Sequence, residues 1–116
     1  MVILKQPDEI AIARASNRIV AEVLSVLREK VKPGVTTLEL DQIAERTAEK
    51  RGAMPAFKGY RGYPYALCAS INEEVVHGMP SKRVLMEGDI IGLDFGVYYQ
   101  GFYGDSAITL PVGRVN

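Results

Sequence analysis

The first third of the chain has apolar residues at helical spacing. One stripe consists of Val20, Leu24, Leu27 and Val31, widened by Ile12, Ile19, Val23 and Val26, and the opposite side carries Arg14, Arg18, Glu22 and Glu29. Pro7 with the acids that follow it is typical of a helix start, and Lys32-Pro33-Gly34 is typical of a helix end. This pattern predicts one amphipathic helix with a single buried face.

A second helix is predicted to begin at Thr36. Glu39 follows three residues later, which matches a capping box, and Gly52 suits the position just after a helix end. The residues expected to face inward are Leu40, Ile43, Ala44 and Thr47.

Beyond Arg51-Gly52 the sequence becomes rich in glycine, aromatic and β-branched residues, which favours strands. The predicted strands are Ala66–Ile71, a short one at Val75-Val76, Ile90–Tyr98 and Phe102–Leu110. The last two would form a hairpin around Tyr99-Gln100-Gly101. The expected fold class is α+β, with two helices packed on one face of a mainly antiparallel sheet, and residues 1–116 are expected to form one domain.

The predicted hairpin carries one aspartate on each strand. Ile91, Leu93, Phe95 and Val97 would form an apolar face, whereas Gly92, Asp94 and Gly96 would point the other way. If Tyr98 pairs with Gly101, Asp94 lies directly opposite Asp105. If Gln100-Gly101 form the turn, the two aspartates are diagonal neighbours on one face, and a three-residue turn would separate them onto opposite faces.

Two neighbouring carboxylates repel each other unless something compensates for their charge. Either one of them is protonated or a cation lies between them. The small residues that flank Asp94 leave room for such an ion, so the face is a candidate metal or acid–base site, with a solvated hairpin face as the plain alternative.

His77 is the only histidine, and it lies between a predicted strand and Gly78. At a strand edge its imidazole could donate a proton or a hydrogen bond to a substrate, although a lone histidine is more often structural. The stretch 57–65 mixes aromatics, glycines and two cations, which is typical of a pocket wall or core packing and less so of an RNA-stacking loop. Cys68 is expected to be a small buried residue.

Charge and composition narrow the function classes. Lys plus Arg equals Asp plus Glu at 14 each, which leaves no electrostatic footprint for DNA or an anionic membrane. No apolar run approaches the roughly 18 residues of a membrane span. With a single cysteine and no signal-peptide pattern, the protein is expected to be cytoplasmic.

Several segments, in this order and spacing, resemble type I methionine aminopeptidases: Lys32–Thr37, Gly59–Pro64, Ser70–Pro80, Gly88–Asp94 and Gly101–Asp105. The resemblance implies half of a pita-bread fold and removal of the initiator methionine from nascent proteins and peptides whose second residue is small. One departure is Arg61, where many members of that family carry histidine.

The resemblance also implies roles for individual residues. Asp94 would bind one of two divalent ions and Asp105 would bridge both, with cobalt, manganese, iron or zinc as candidates. His77 would contact the substrate backbone, and the pocket for the methionine side chain would be lined by Tyr60, Tyr63 and Cys68.

The family's remaining metal ligands lie in a second half beyond Val112-Gly113 that these 116 residues do not contain. The expectation is therefore incomplete or no metal occupancy, and weak or no activity of the chain alone. Its expected partners are a peptide or nascent-chain N-terminus and the second half of the fold. Two alternatives remain: a non-catalytic half-fold that forms a pseudo-symmetric homodimer, and a pita-bread homologue that binds protein or RNA.

Overall fold

A computed structural model describes residues 7–72 and 78–113 of the chain. Its elements are α1 (Pro7–Lys30), α2 (Thr37–Lys50), β1 (Met54–Pro55), β2 (Leu67–Ile71), β3 (Ile90–Tyr99) and β4 (Phe102–Pro111), with a short 3-10 helix at Tyr60–Gly62. The two helices lie on a four-stranded antiparallel sheet, so the expected α+β class is confirmed. The strand predicted at Val75-Val76 lies outside the described residues.

Helix α1 buries most of the predicted stripe, whereas Ile12, Val26 and Val31 are only half-buried and Val31 follows the helix end. Its buried residues are Ser16, Ile19, Val20, Val23, Leu24 and Leu27. Ser16 was not expected there, but its hydroxyl donates to the carbonyls of Ile12 and Phe102, both at 3.2 Å. A buried hydroxyl is tolerated when it is hydrogen-bonded, so Ser16 fastens the helix to β4 without an unsatisfied polar group.

Helix α2 begins as predicted but is rotated from the expected orientation. The Thr36 hydroxyl accepts a hydrogen bond from the Glu39 amide at 3.1 Å, and Gly52 after the helix end has a φ of 75°. The buried residues are Thr37, Leu40, Asp41, Ala44 and Ala48. Ile43 and Thr47, predicted to face inward, are only half-buried, because the inward stripe runs through Asp41 and Ala48 instead.

Strand β3 is the centre of the sheet. It pairs along its whole length with β4, while β1 and β2 pair with separate parts of its other edge. Strand β1 was not predicted, because two residues that include a proline carry no alternating pattern and proline is confined to sheet edges. The predicted apolar face is confirmed, since Ile91, Leu93, Phe95 and Val97 are buried under the helices.

The β3–β4 turn consists of Gln100 and Gly101 alone. Tyr99 pairs with Phe102, and the two turn residues have φ values of 47° and 91°. Positive φ at both central residues is the signature of a type I′ turn, whose twist matches that of the flanking strands. Each strand is one residue longer than predicted, and the two-residue turn fixes which side chains of β3 and β4 share a face.

Candidate active site

Asp94 and Asp105 lie on the exposed face of the sheet, opposite the helices. Asp94 is paired with Ala107, and Asp105 is paired with Gly96. The two aspartates are therefore diagonal neighbours on one face, the second of the three arrangements considered from the sequence. A side-chain carbon at position 96 would lie 3.4 Å from the Asp105 Cβ and 3.2 Å from the Gly104 carbonyl oxygen, so glycine at this position keeps the face open beside Asp105.

The two carboxylates interact electrostatically. Partial burial raises the pKa of Asp94 above its usual range, and the charge of Asp105 raises it further. The repulsion expected between neighbouring carboxylates is therefore present in the raised pKa of Asp94. A cation bound between the two carboxylates would be attracted by both and would relieve this repulsion.

Two cavities meet at Asp94. One, of about 620 Å³, is lined by Phe57, Tyr60, Arg61, Gly62, Tyr63, Pro64, Cys68, Met79 and Asp94. A smaller one, of about 300 Å³, lies along the open sheet face and includes Ser70, Gly92 and Thr109. The larger one is mostly apolar with a carboxylate at one side, which is the usual character of a site for an apolar side chain attached to a polar group.

The structure brings together three residues predicted from the sequence to line a pocket: Tyr60, Tyr63 and Cys68. Cys68 lies directly across from Asp94 in the β2–β3 register, and it is half-buried rather than fully buried as expected. Tyr60 is 65% exposed, with the Arg61 guanidinium 5.4 Å from its ring centroid. Phe57 and Met79 belong to the same cavity and were not singled out individually.

Tyr63 and Cys68 are held as neutral groups. Burial raises the pKa of Tyr63 well above its usual range, and its hydroxyl donates to the Leu67 carbonyl at 2.7 Å. Burial also raises the pKa of the Cys68 thiol, although a hydrogen bond with Tyr63 opposes this shift. Near neutral pH the cavity wall therefore presents a phenol and a thiol and adds no further negative charge beside Asp94.

His77 lies outside the described residues, so its predicted role stays a prediction. The described chain resumes at Gly78, whose carbonyl accepts a hydrogen bond from the Ala69 amide of β2 at 2.7 Å. Met79, the next residue, lines the larger cavity.

Asp41 is the polar residue near the site that sequence analysis missed. It lies on α2, is 5% exposed, and accepts hydrogen bonds through one oxygen, Oδ1, from the amides of Ala66 and Leu67 at 2.8 and 2.9 Å. Burial raises the pKa of Asp41, and the two amide donors oppose that shift. Its burial could have been inferred from its position, because residues 37, 40, 41, 44 and 48 lie on one side of the helix and the others in this set are apolar or small.

The Asp41 pKa gives a prediction for stability against pH. A carboxyl whose folded-state pKa is raised adds stability below its unfolded value of 3.8, and this stability is lost as the pH rises through the folded-state value. Asp41→Asn keeps the Oδ1 acceptor and does not titrate. The free energy of unfolding of the variant, relative to the unsubstituted protein, should therefore increase from pH 3.5 to pH 7. Urea denaturation at the two pH values measures this difference, and a relative stability that decreases with pH would contradict it.

The chemistry of the donors fits a hard or borderline divalent cation. Asp94 and Asp105 offer carboxylate oxygens on one face, and a cation would relieve the repulsion between them. Cys68 is a neutral thiol and therefore offers no thiolate ligand to a softer metal. Within residues 7–72 and 78–113, no group of three or more His, Cys, Asp and Glu residues is placed to hold a metal ion. The described residues can thus supply two ligands of a metal site but not a complete coordination sphere.

Comparison with known proteins identifies the family to which this chain belongs. Residues 11–116 match metallopeptidase family M24, and the chain belongs to that family. Over the part of the chain that the structure describes, neither helix is long and apolar enough to cross a membrane.

The particular relatives are methionine aminopeptidases. The chain is 52% identical to methionine aminopeptidase 1 of Bacillus subtilis over 116 residues, which cover all of this chain and 47% of that protein. It is 53% identical to the methionine aminopeptidase of Aquifex aeolicus over 91% of this chain and 44% of that one. The chain thus spans about half the length of the curated relatives it matches and corresponds to their amino-terminal part.

Solved structures of related peptidases have the same fold as this chain. The methionine aminopeptidase of Thermotoga maritima superimposes with a TM-score of 0.94 at 44% identity, covering all of this chain and 47% of that one. The prolidase of Pyrococcus horikoshii has a TM-score of 0.83 at 25% identity, covering 98% of this chain and 31% of the other. The expected relation to the pita-bread metallopeptidases is confirmed.

Proposed function

We propose that this chain supplies the amino-terminal half of a methionine aminopeptidase catalytic domain, with residues 1–116 as one folding unit. The observation that carries the proposal is the pair formed by Asp94 and Asp105 on one sheet face, beside a cavity of about 620 Å³ lined by aromatic residues. The similarity to methionine aminopeptidases of two bacteria supports the same activity. The protein would act in the cytoplasm on the N-terminus of nascent chains and peptides.

Each candidate site residue is proposed to have a separate role in the reaction. Asp94 and Asp105 would contribute carboxylate ligands to two divalent ions, whose remaining ligands would come from the second half of the fold. Such ions, when bound, would lower the pKa of a water molecule and polarise the peptide carbonyl. Tyr60, Tyr63 and Cys68 would receive the methionine side chain, because their cavity is mostly apolar and reaches Asp94. His77 would contact the substrate backbone and hold the reacting amide in position.

The cavity also explains why a thioether side chain would be selected. Methionine is apolar, unbranched and flexible, and its sulfur makes favourable contacts with aromatic rings. Phe57, Tyr60 and Tyr63 supply such rings. Arg61 also lines the cavity and is exposed to solvent, with its guanidinium 5.4 Å from the Tyr60 ring centroid. A charged side chain would be partly desolvated against the aromatic wall and would bind less well than an apolar one.

The test is methionine release from Met-Ala-Ser in the presence of Mn²⁺, with and without EDTA. Residues 1–116 joined to the remaining segment of the Bacillus subtilis relative should release methionine, and EDTA should abolish the release. The 116-residue chain alone should bind Mn²⁺ weakly in calorimetry and release little or no methionine, because its described residues supply only two of the ligands.

Other outcomes identify the alternatives. Release by the joined protein that persists in EDTA would refute the metal-dependent reaction. A folded chain with no affinity for Mn²⁺ and no activity in the joined form would favour a binding module. A stable homodimer of the chain in analytical ultracentrifugation, unchanged by Mn²⁺, would favour the self-associating half-fold.

A further inference from the structure

We infer that Asp41 and Glu45, two carboxylates one turn apart on α2, are positioning residues that hold the aromatic loop in the shape of the cavity wall. The aromatic loop is defined here as residues 57–65, between β1 and β2. The inference rests on the proposed function in one respect: the cavity is taken as the site for the substrate's first side chain.

Asp41 holds the end of the loop that enters β2. Its Oδ1 accepts from the amides of Ala66 and Leu67, the first two residues after the loop. Both bonds are buried, so removing the carboxylate leaves two buried amides without their acceptor. Because adjacent amides converge on one oxygen, the direction in which the chain enters β2 is fixed by α2.

Glu45 holds the other end. Its Oε1 is 2.6 Å from the Lys58 ammonium, and the Glu45 side chain is 23% exposed. Residues four apart on a helix lie on the same face, so one side of α2 faces both ends of the loop. The ion pair is partly open to solvent and should therefore contribute less than the buried Asp41 contacts.

The aromatic loop needs such anchors because its own conformation is unfavourable. Gly59, Arg61 and Gly62 all have positive φ, and Arg61, at 49°, is not a glycine. A non-glycine residue in this region costs free energy and persists when the surroundings impose it. The loop has some internal support, including the Gly59 amide to the Tyr63 carbonyl at 2.7 Å.

The anchors act on the cavity through short paths along the chain. Leu67, whose amide is held by Asp41, accepts the Tyr63 hydroxyl through its carbonyl. The next residue, Cys68, lines the cavity and lies across from Asp94. Asp41 therefore sets where Tyr63 and Cys68 stand relative to Asp94 without touching the cavity itself.

The first test is independent of catalysis. In the folded 116-residue chain, Asp41→Ala should raise hydrogen exchange at the Ala66 and Leu67 amides by about tenfold or more, because both lose their acceptor. Native-state tryptic cleavage after Lys58 and Arg61 should accelerate as well. Asp41→Asn, which keeps Oδ1, should leave both rates within about twofold of the unsubstituted chain.

The second test concerns the reaction in the joined protein described above. Asp41→Ala should raise KM for Met-Ala-Ser several-fold with kcat little changed, since the loop would contact the bound side chain and not the scissile bond. Asp41→Asn should restore KM. Glu45→Gln, which keeps the size of the side chain and removes its charge, should give a smaller increase in KM.

Distinct results overturn the inference and the proposed function. Unchanged exchange and proteolysis in a folded Asp41→Ala chain would overturn the inference, as would a fall in kcat with KM unaltered. If Asp41→Ala does not fold, unchanged cleavage after Lys58 and Arg61 in a folded Glu45→Ala chain, which lacks the ion pair with Lys58, would overturn it. Altered loop exchange in a joined protein without aminopeptidase activity would uphold the positioning role and refute only the proposed function.

Discussion

Asp105→Asn should reduce methionine release by the joined protein by about a hundredfold or more, because it removes one of two paired carboxylate ligands. Asparagine has nearly the same shape and keeps one oxygen, so the hairpin register with Gly96 opposite should persist. The loss would therefore report on charge and metal affinity rather than on folding. The measurements are kcat/KM for Met-Ala-Ser and the Mn²⁺ affinity by calorimetry.

A second readout of the same variant requires no metal. Burial and the charge of Asp105 both raise the pKa of Asp94, so removing that charge should lower the pKa of Asp94 while leaving it above the usual range. Carboxyl NMR titration of the metal-free chain measures this shift. Glu49→Gln removes a carboxylate from the exposed side of α2 and is the matched control, which should change neither activity nor the Asp94 titration. Full activity of Asp105→Asn would refute the proposed metal site.

Gly78→Ala should destabilise the chain by about 3 kcal/mol or more, at the upper end of the cost of overpacking. A Cβ at position 78 would lie 2.0 Å from the Ala69 carbonyl oxygen and 2.7 Å from the Ser70 Cα, both backbone atoms of β2. The segment at Gly78 would have to move away from β2 and lose the hydrogen bond from the Ala69 amide. Urea denaturation of the chain measures the loss as a lower midpoint.

The matched control is Gly92→Ala on β3. A Cβ there would meet only the Ser70 carbonyl oxygen at 3.9 Å, which is ordinary contact, and Gly92 does not have a positive φ. Alanine also loses less conformational entropy than glycine on folding. This variant should therefore be as stable as the unsubstituted chain or slightly more stable. Equal stability of the Gly78 and Gly92 variants would show that the close approach of Gly78 to β2 does not constrain the chain.

The sequence predicted the elements with strong periodicity. Helix α1 and the β3–β4 hairpin were found with boundaries within about two residues, because their apolar stripes contact one continuous core. For Asp94 and Asp105 the sequence left three arrangements open, two of which put both residues on one face, and the structure has the diagonal one. That choice depends on which residues form the turn, and the tyrosines and glycine there allowed more than one pairing.

The residues that sequence reasoning missed are held by tertiary contacts. From the sequence, Asp41 is expected to be an exposed charge on a helix. It is buried because its carboxylate accepts hydrogen bonds from the amides of Ala66 and Leu67, which are distant in sequence. Strand β1 exists only because β3 offers a free edge next to β2. The contribution of Met79 to the cavity follows from the attachment of Gly78 to β2, which no local pattern indicates.

The two-residue connection at Gln100-Gly101 makes the candidate site depend on chain length as well as on residue type. A single inserted residue there could shift the pairing so that Asp105 points toward the helices and Ser106 takes its place beside Asp94. In that pairing both aspartates are still present in the sequence, yet they no longer share a face.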